Sequence, residues 1–304
     1  MSISKLSDAL NKYDQYGIIR VNTFHTLYVF ICIFLVNFMF GPPYINQLLP
    51  IFGMGIIAAA ASPSHVRKQQ IVVLFIVIAI IWYICVNLVV NHNLATVIVN
   101  GFLLSLLYWL GRKIQFFAAI ALICYLLGLI LPPLNVSGNF DVYYNLIVMC
   151  IIYLIVIIAF MNLFPRVYYN RIWARAFYLC LHELVTIQRA LAAGETNFAN
   201  SKHLIGLYRI TSGLTQKEFT FSARRVNISL LHISSYMTAL RTQILPINSQ
   251  ALLQSADICE QLCQKITRSE SIQADYLAIA DLPDGIKFSL QQLIIVWNKI
   301  CLKV

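Results

Sequence analysis

The sequence predicts an all-α protein in which a membrane domain of six transmembrane helices is followed by a helical bundle in the cytoplasm. Hydrophobic residues make up 60% of the chain and charged residues 11%, whereas soluble domains have about 45–50% apolar and about 25% charged residues. The mean hydropathy is +0.74. The charges are unevenly placed, since 15 of the 22 basic residues and 9 of the 12 acidic ones lie in the last 140 positions. These observations indicate one region surrounded by lipid and another surrounded by water.

The membrane domain is predicted over residues 21–163, after a cytoplasmic N-terminal segment at 1–20. A helix needs about 20 apolar residues to cross a hydrocarbon core of about 30 Å, because every backbone polar group must be satisfied within lipid. Six stretches of the chain qualify, and the fourth and fifth are the shortest. They are 21–40, 43–62, 70–90, 94–110, 116–131 and 143–163.

Short loops that carry lysine and arginine mark the cytoplasmic side of a membrane protein. Arg67 and Lys68 join the second span to the third, Arg112 and Lys113 join the fourth to the fifth, and Arg166 follows the sixth. The other three connections contain no lysine or arginine. Both termini are therefore expected in the cytoplasm, with the chain in the inner membrane of a bacterium.

The cytoplasmic domain is predicted over residues 164–304 as a bundle of amphipathic helices. The first of these should run to about Ala193, where Gly194 is a plausible stop. Apolar residues recur every three or four positions in the third helix, as on the buried face of a bundle helix. The further helices are expected near 201–210, 222–245, 249–267 and 287–302, and the apolar stripe consists of Leu230, Ile233, Met237 and Leu240.

Several function classes lack their usual sequence signals. The chain has no phosphate-binding loop, dinucleotide glycine fingerprint, nucleophile elbow or zinc-protease helix, so we expect neither an enzyme nor a cofactor. Cys259 and Cys263 are four residues apart on a predicted helix, but no further ligand nearby completes a metal site, and we expect buried thiols. The net charge of +10 comes from scattered cations, which does not favour nucleic acid.

Polar residues inside the predicted spans are candidates for lining a solute pathway, because polar groups within a bilayer are costly unless they have a role. Pro50 can kink the second span and so open space beside it. The candidate pathway residues are Asn46, Gln47, Pro50, Asn87 and Asn100. The same second span also carries Gly55 and Ala59, a small-residue spacing that fits ordinary close packing of helices equally well.

The loop cations form a second candidate site. If subunits surround an axis, these residues would line a cationic vestibule at the inner mouth and concentrate anions there. Their other interpretation is that they only set the topology. The residues concerned are Arg67, Lys68, Arg112, Lys113 and Arg166. No aspartate or glutamate lies within the six spans, which favours a pore or a weakly coupled exporter over a proton antiporter.

The layout resembles the fusaric-acid-resistance (FUSC) or aromatic acid exporter family. The resemblance rests on six spans with both ends inside, a small-residue second span leading into the basic turn at Ser64 to Lys68, a basic exit after the sixth span and an all-helical cytoplasmic domain. It is distantly similar in plan to the aluminium-activated malate channels of plants. Many such bacterial proteins contain two copies of the membrane-plus-soluble unit, whereas this chain has room for one.

The resemblance implies export of small organic acids, some of them aromatic, through a path built by assembled subunits. A single-copy chain would then act as a homodimer in the lipid bilayer, and a periplasmic adaptor is a further partner that the family implies. A different function class also remains open from the sequence. In that alternative the spans only anchor the chain, and the cytoplasmic bundle is a scaffold that binds another protein.

Overall fold

A computed structural model describes residues 13–40, 49–60, 65–89, 92–113, 140–195, 202–214, 216–242, 248–272 and 283–301. Within these ranges the regular structure is helical throughout and no strand occurs, so the all-α prediction is confirmed there. Ten helices are described. They are α1 Ile18–Phe40, α2 Leu49–Ala60, α3 His65–Val89, α4 Asn93–Lys113, α5 Phe140–Leu163, α6 Val167–Ala192, α7 Lys202–Ser212, α8 Lys217–Arg241, α9 Ser249–Arg268 and α10 Asp284–Ile300.

Two described helices are long and apolar enough to cross a membrane, namely α1 and the Arg67–Val86 part of α3. A third is added if Ile147–Leu163 and α6, which meet at a bend of 50°, are counted as one span. The apolar Leu94–Trp109 stretch of α4 is shorter. The predicted fifth span, 116–131, lies outside the described residues, and of the second span, predicted over 43–62, the 12 residues Leu49–Ala60 form a described helix. The count of six spans therefore stays a prediction.

The chain divides into two compact units. The membrane unit comprises Asn22–Ser62 and Val66–Phe164, and the helical unit comprises Met1–Val21, Pro63–His65 and Pro165–Val304.

The membrane unit has polar residues inside and apolar residues outside along α1. Its buried positions include Asn22, His25 and Asn37, whereas Phe34 and Phe38 are 53% and 81% exposed. In water this arrangement would expose apolar surface and bury amides, both at a cost in free energy. Lipid removes the first cost, so this surface is that of a membrane protein.

Aromatic and aliphatic side chains from five helices form the core of the membrane unit. Close packing of α2 against α3 depends on glycine, because a Cβ atom on Gly55 would lie 3.0 Å from Cδ1 of Phe75 and 3.4 Å from Cγ1 of Ile76. Ala59, one turn further on, is also buried. The close-packing interpretation of the small residues in the second span is therefore confirmed.

The helical unit has the opposite pattern, with an apolar core and a charged exterior. Trp173 of α6 lies at its centre, stacked on Phe177 at 5.2 Å between ring centroids and edge-on to Phe219 of α8 at 5.3 Å. The predicted stripe on α8 is buried as expected, since Leu230, Ile233, Met237 and Leu240 are at most 2% exposed.

Short turns fix where helices begin and end. Gly17 has a φ of +81° and its N–H donates to the carbonyl of Asp14, while Asp14 Oδ2 accepts from the backbone N–H of Arg20 at 3.0 Å. These bonds satisfy backbone groups that the start of α1 would otherwise leave unpaired. After the C-terminal end of α6, Gly194 has a φ of +82°. This left-handed glycine is the helix stop predicted from the sequence.

Candidate functional site: a buried lysine in the membrane unit

The membrane unit contains a buried cation near the start of α3. Lys68 is 2% exposed, and its ammonium donates a hydrogen bond of 2.6 Å to the side-chain oxygen of Asn22 on α1. The amide nitrogen of Asn22 donates in turn to the carbonyl of Ala60, at 2.8 Å, at the end of α2. Three helices therefore meet around one positive charge.

A small cavity lies beside this cation. It measures about 10 Å³, and its walls include His25, Ala59, Lys68 and Met161. A volume of roughly 10–15 Å³ is the space that one water molecule needs. The space beside the ammonium is therefore about that of one water molecule.

Further side chains connect the helices around the lysine. The ring of His25 lies against that of Phe164, with centroids 4.4 Å apart, and Gln69 donates to the side-chain oxygen of Asn162 at 2.9 Å. The first contact joins α1 to Phe164, the residue that follows α5, and the second joins α3 to α5. These contacts tie together the helices that surround the cation.

The electrostatics of this position favour an anion. An ammonium carries three donors and no acceptor, and its transfer out of water is costly without compensating charge or hydrogen bonds. Lys68 also lies in the first turn of α3, where the helix dipole contributes a partial positive charge instead of the negative one that would stabilise a cation. A carboxylate close to Nζ of Lys68 would be attracted by both.

A second buried polar pair lies further along the membrane unit. The hydroxyl of Tyr153 on α5 donates to the side-chain oxygen of Asn37 on α1 at 2.8 Å. Its ring stacks on that of Phe52 from α2, with 5.4 Å between centroids. This pair has its own donor and acceptor satisfied and serves to orient α1, α2 and α5.

The loop cations do not share one environment. Lys68 is buried, whereas Arg67, Arg112 and Arg166 are exposed, and the guanidinium of Arg112 lies 5.4 Å from the ring centroid of Tyr108. Consecutive residues of a helix point about 100° apart, so adjacent cations on α3 face the interior and the exterior. Lys113 belongs to α4, but its side chain is outside the described residues.

The predicted pathway residues are described only in part. Asn100 of α4 donates to the carbonyl of Thr96 in its own helix, at 3.0 Å, and so makes no described interhelical bond. Pro50 and Asn87 lie in α2 and α3 with side chains outside the description, and Asn46 and Gln47 lie outside the described residues altogether.

The sequence reasoning missed Asn22, the residue that holds the buried lysine. A signal for it exists, because Asn22 and His25 are three positions apart and therefore share one face of α1. Val29, Ile33 and Asn37 continue that face, and all are buried. A polar stripe along a span predicts the side that turns away from lipid.

The cysteines behave as packing residues. Cys259 and Cys263 of α9 are buried as predicted, and desolvation raises the pKa of the Cys263 thiol to about 12. Among the residues that the structure describes, no group of three metal-ligating side chains is suitably placed for a metal ion.

Comparison with protein-family models, with curated proteins and with solved structures finds no match to this chain.

Proposed function

We propose that this protein is a membrane transporter or channel of the FUSC type that exports small organic anions, aromatic acids among them. Burial of Lys68 within the membrane unit is the observation that carries the proposal. Ionisable residues inside membrane segments are rare because they are costly, and they commonly mark the path of a substrate or ion. A carboxylate solute supplies the negative charge that this position attracts.

The proposed arrangement has six spans, both termini in the cytoplasm and two copies of the chain in the inner membrane. The small volume of the cavity beside Lys68, about 10 Å³, supports a pathway that opens by helix movement instead of a permanent pore. Asn22 would keep the ammonium pointed towards the cavity during that movement.

Flux through liposomes tests the proposal. Purified full-length protein should release benzoate or a dicarboxylate from loaded vesicles faster than vesicles without protein. Lys68→Met should abolish this flux because it removes the charge, whereas Lys68→Arg should retain part of it.

Arg112→Met is the matched comparison, since it removes an exposed cation from the same unit. If the exposed loop cations only set the topology, this variant should leave most of the flux. Absence of flux with correctly folded wild-type protein would contradict the proposal and favour the membrane-anchored scaffold. Equal loss in the Lys68 and Arg112 variants would contradict the assigned role of Lys68.

A further inference from the structure

A groove between α7 and α8 of the helical unit has the size and lining of a small-molecule site. It encloses about 610 Å³, within the range of roughly 300–1,000 Å³ that ligand pockets occupy. Its lining residues are Leu204, Ile205, Tyr208, Thr211, Ser212, Arg224, Asn227, Ile228 and Leu231.

The apolar walls of the groove are unusually exposed for a unit that lies in water. Ile205 and Tyr208 on α7 are 61% and 68% exposed, and Ile228 and Leu231 on α8 are 56% and 53% exposed. Grouped apolar side chains of this kind mark binding surfaces more often than scattered single ones do.

Asn227 provides an independent observation that points to a ligand. It lines the groove and is only 6% exposed, yet neither its amide nitrogen nor its amide oxygen has a hydrogen-bond partner within the described part of the chain. A buried amide without partners destabilises a fold by about 1–3 kcal/mol. A bound molecule that offers the Asn227 amide both an acceptor and a donor would explain why this residue is retained.

The other polar groups narrow the chemistry of that molecule. The hydroxyl of Thr211 already accepts from the indole N–H of Trp173 and donates to a backbone carbonyl, and Ser212 also donates to its own helix. Arg224 has no hydrogen bond or ion pair within the described residues, and it precedes Asn227 by three positions, on the same side of α8. The polar groups available to a ligand are thus the guanidinium of Arg224, the amide of Asn227 and the phenolic hydroxyl of Tyr208.

We infer that this groove binds a small amphipathic organic acid with a hydroxyl or N–H group beside its carboxylate. The carboxylate accepts from the guanidinium of Arg224 and the amide nitrogen of Asn227, and the neighbouring donor reaches the amide oxygen. The apolar body lies against Tyr208, Ile228 and Leu231. The site belongs to the helical unit alone, so it functions as a sensor of such acids whether or not the membrane unit conducts them.

Equilibrium dialysis of labelled 2-hydroxybenzoate against the full-length protein in nanodiscs tests the inference, with empty nanodiscs subtracting partition into lipid. One saturable site per chain is expected. Arg224→Met and Asn227→Leu should each weaken binding about tenfold or more, as loss of a charge-assisted or buried hydrogen bond predicts. Benzoate, which lacks the neighbouring donor, and benzyl alcohol, which lacks the carboxylate, should each bind more weakly.

Arg225→Met is the matched control, because it removes the same charge from the next residue, whose guanidinium donates to Gln292 on α10 at 3.0 Å. It should leave binding unchanged. Asn227→Leu should also retain or raise the unfolding midpoint, since it removes an unpaired amide. An unchanged or raised midpoint would show that the variant is folded and that its loss of binding has another cause.

Three results would overturn the inference: no saturable binding, equal loss in the Arg224 and Arg225 variants, or wild-type binding by Asn227→Leu. Dissociation of an oligomer by Arg224→Met, without any acid bound to the wild type, would assign the groove to a second copy instead. Lys68→Met separates this inference from the proposed transport, since it should stop flux and leave dialysis unchanged.

Discussion

At the scale of single residues, the membrane unit shows how one amide can organise a charge. Asn22 accepts from the ammonium of Lys68 with its oxygen and donates to the carbonyl of Ala60 with its nitrogen. Replacing it leaves a buried donor and a buried acceptor without this partner, which costs more than the hydrogen bonds themselves contribute.

We therefore expect Asn22→Ala to lower the free energy of unfolding by about 1–3 kcal/mol. Reversible unfolding of the purified protein in mixed detergent micelles measures this. Asn100→Ala is the control, because the amide of Asn100 donates only within its own helix and its loss should have a much smaller effect. An equal effect of both substitutions would contradict the organising role of Asn22.

A titratable residue in the helical unit gives a pH dependence. The hydroxyl of Tyr16 and Nδ1 of His203 are 2.9 Å apart, and Glu183 accepts from the backbone N–H groups of Lys202 and His203. Desolvation lowers the pKa of His203, and the positive charge of Lys202 lowers it further. The nearby Glu183 carboxylate raises the pKa, but the net shift is downward.

Because the pKa of His203 is lower when folded than when unfolded, the unfolded chain binds more protons between those two values. The free energy of unfolding should accordingly fall as the pH drops below about 6.5, the ordinary histidine value, and level off below the folded pKa. Denaturant unfolding between pH 7.5 and about 5 measures the slope.

His203→Gln should flatten this slope, whereas the control His232→Gln, at an exposed position on α8, should preserve it. A slope unchanged by His203→Gln would assign the pH dependence to other groups.

At the scale of helices, glycine placement decides which pairs pack closely. Gly55 faces the side chains of Phe75 and Ile76, whereas a Cβ atom on Gly101 of α4 would meet no atom of the described residues within 4 Å. Both residues lie inside helices, so glycine has the same low intrinsic helix propensity at each position. The two positions differ in the side chains that surround them.

Gly55→Leu is expected to destabilise the membrane unit by about 1–3 kcal/mol because overpacking forces α2 and α3 apart. Gly101→Leu should be neutral or slightly stabilising, since leucine favours helix more than glycine does. Thermal unfolding of both variants in the same detergent distinguishes them. Comparable destabilisation by the two substitutions would mean that helix packing is not the cause.

The end of α9 offers a stabilising change. Ser269 has a φ of 55°, a left-handed conformation, and the N–H groups of Ser269 and Glu270 donate to the carbonyls of Ile266 and Lys265. Glycine adopts this conformation without strain, so Ser269→Gly should raise the free energy of unfolding by up to about 1 kcal/mol. Ser269→Val should lower it, and denaturant unfolding of the two variants measures the opposite signs.

At the scale of the whole molecule, the charge distribution along the chain makes a prediction about topology. The connections at 41–43, 91–93 and 132–141 contain no lysine or arginine and should lie outside the cell. Single cysteines placed there should react with a membrane-impermeant thiol reagent in intact cells. Cysteines at Arg67 or Arg112 should react only after the membrane is permeabilised, and their labelling in intact cells would overturn the six-span arrangement.

The sequence by itself determined the helical class and the division between an apolar part and a charged part, because these follow from composition and from the period of apolar residues. It also predicted the buried stripe on α8 and the stop at Gly194, since both depend on neighbours within a helix or turn. These properties are local, and no distant contact is needed to specify them.

Only the tertiary structure decided which of two adjacent cations, Arg67 and Lys68, is buried, because the answer depends on how α3 is rotated against α1 and α2. The same holds for Asn22, whose partners are 46 and 38 residues away in the chain, and for Asn227, whose missing partners become evident only when its neighbours are in place. Burial of a polar group is a property of the packed helices, and residue type and spacing do not specify it.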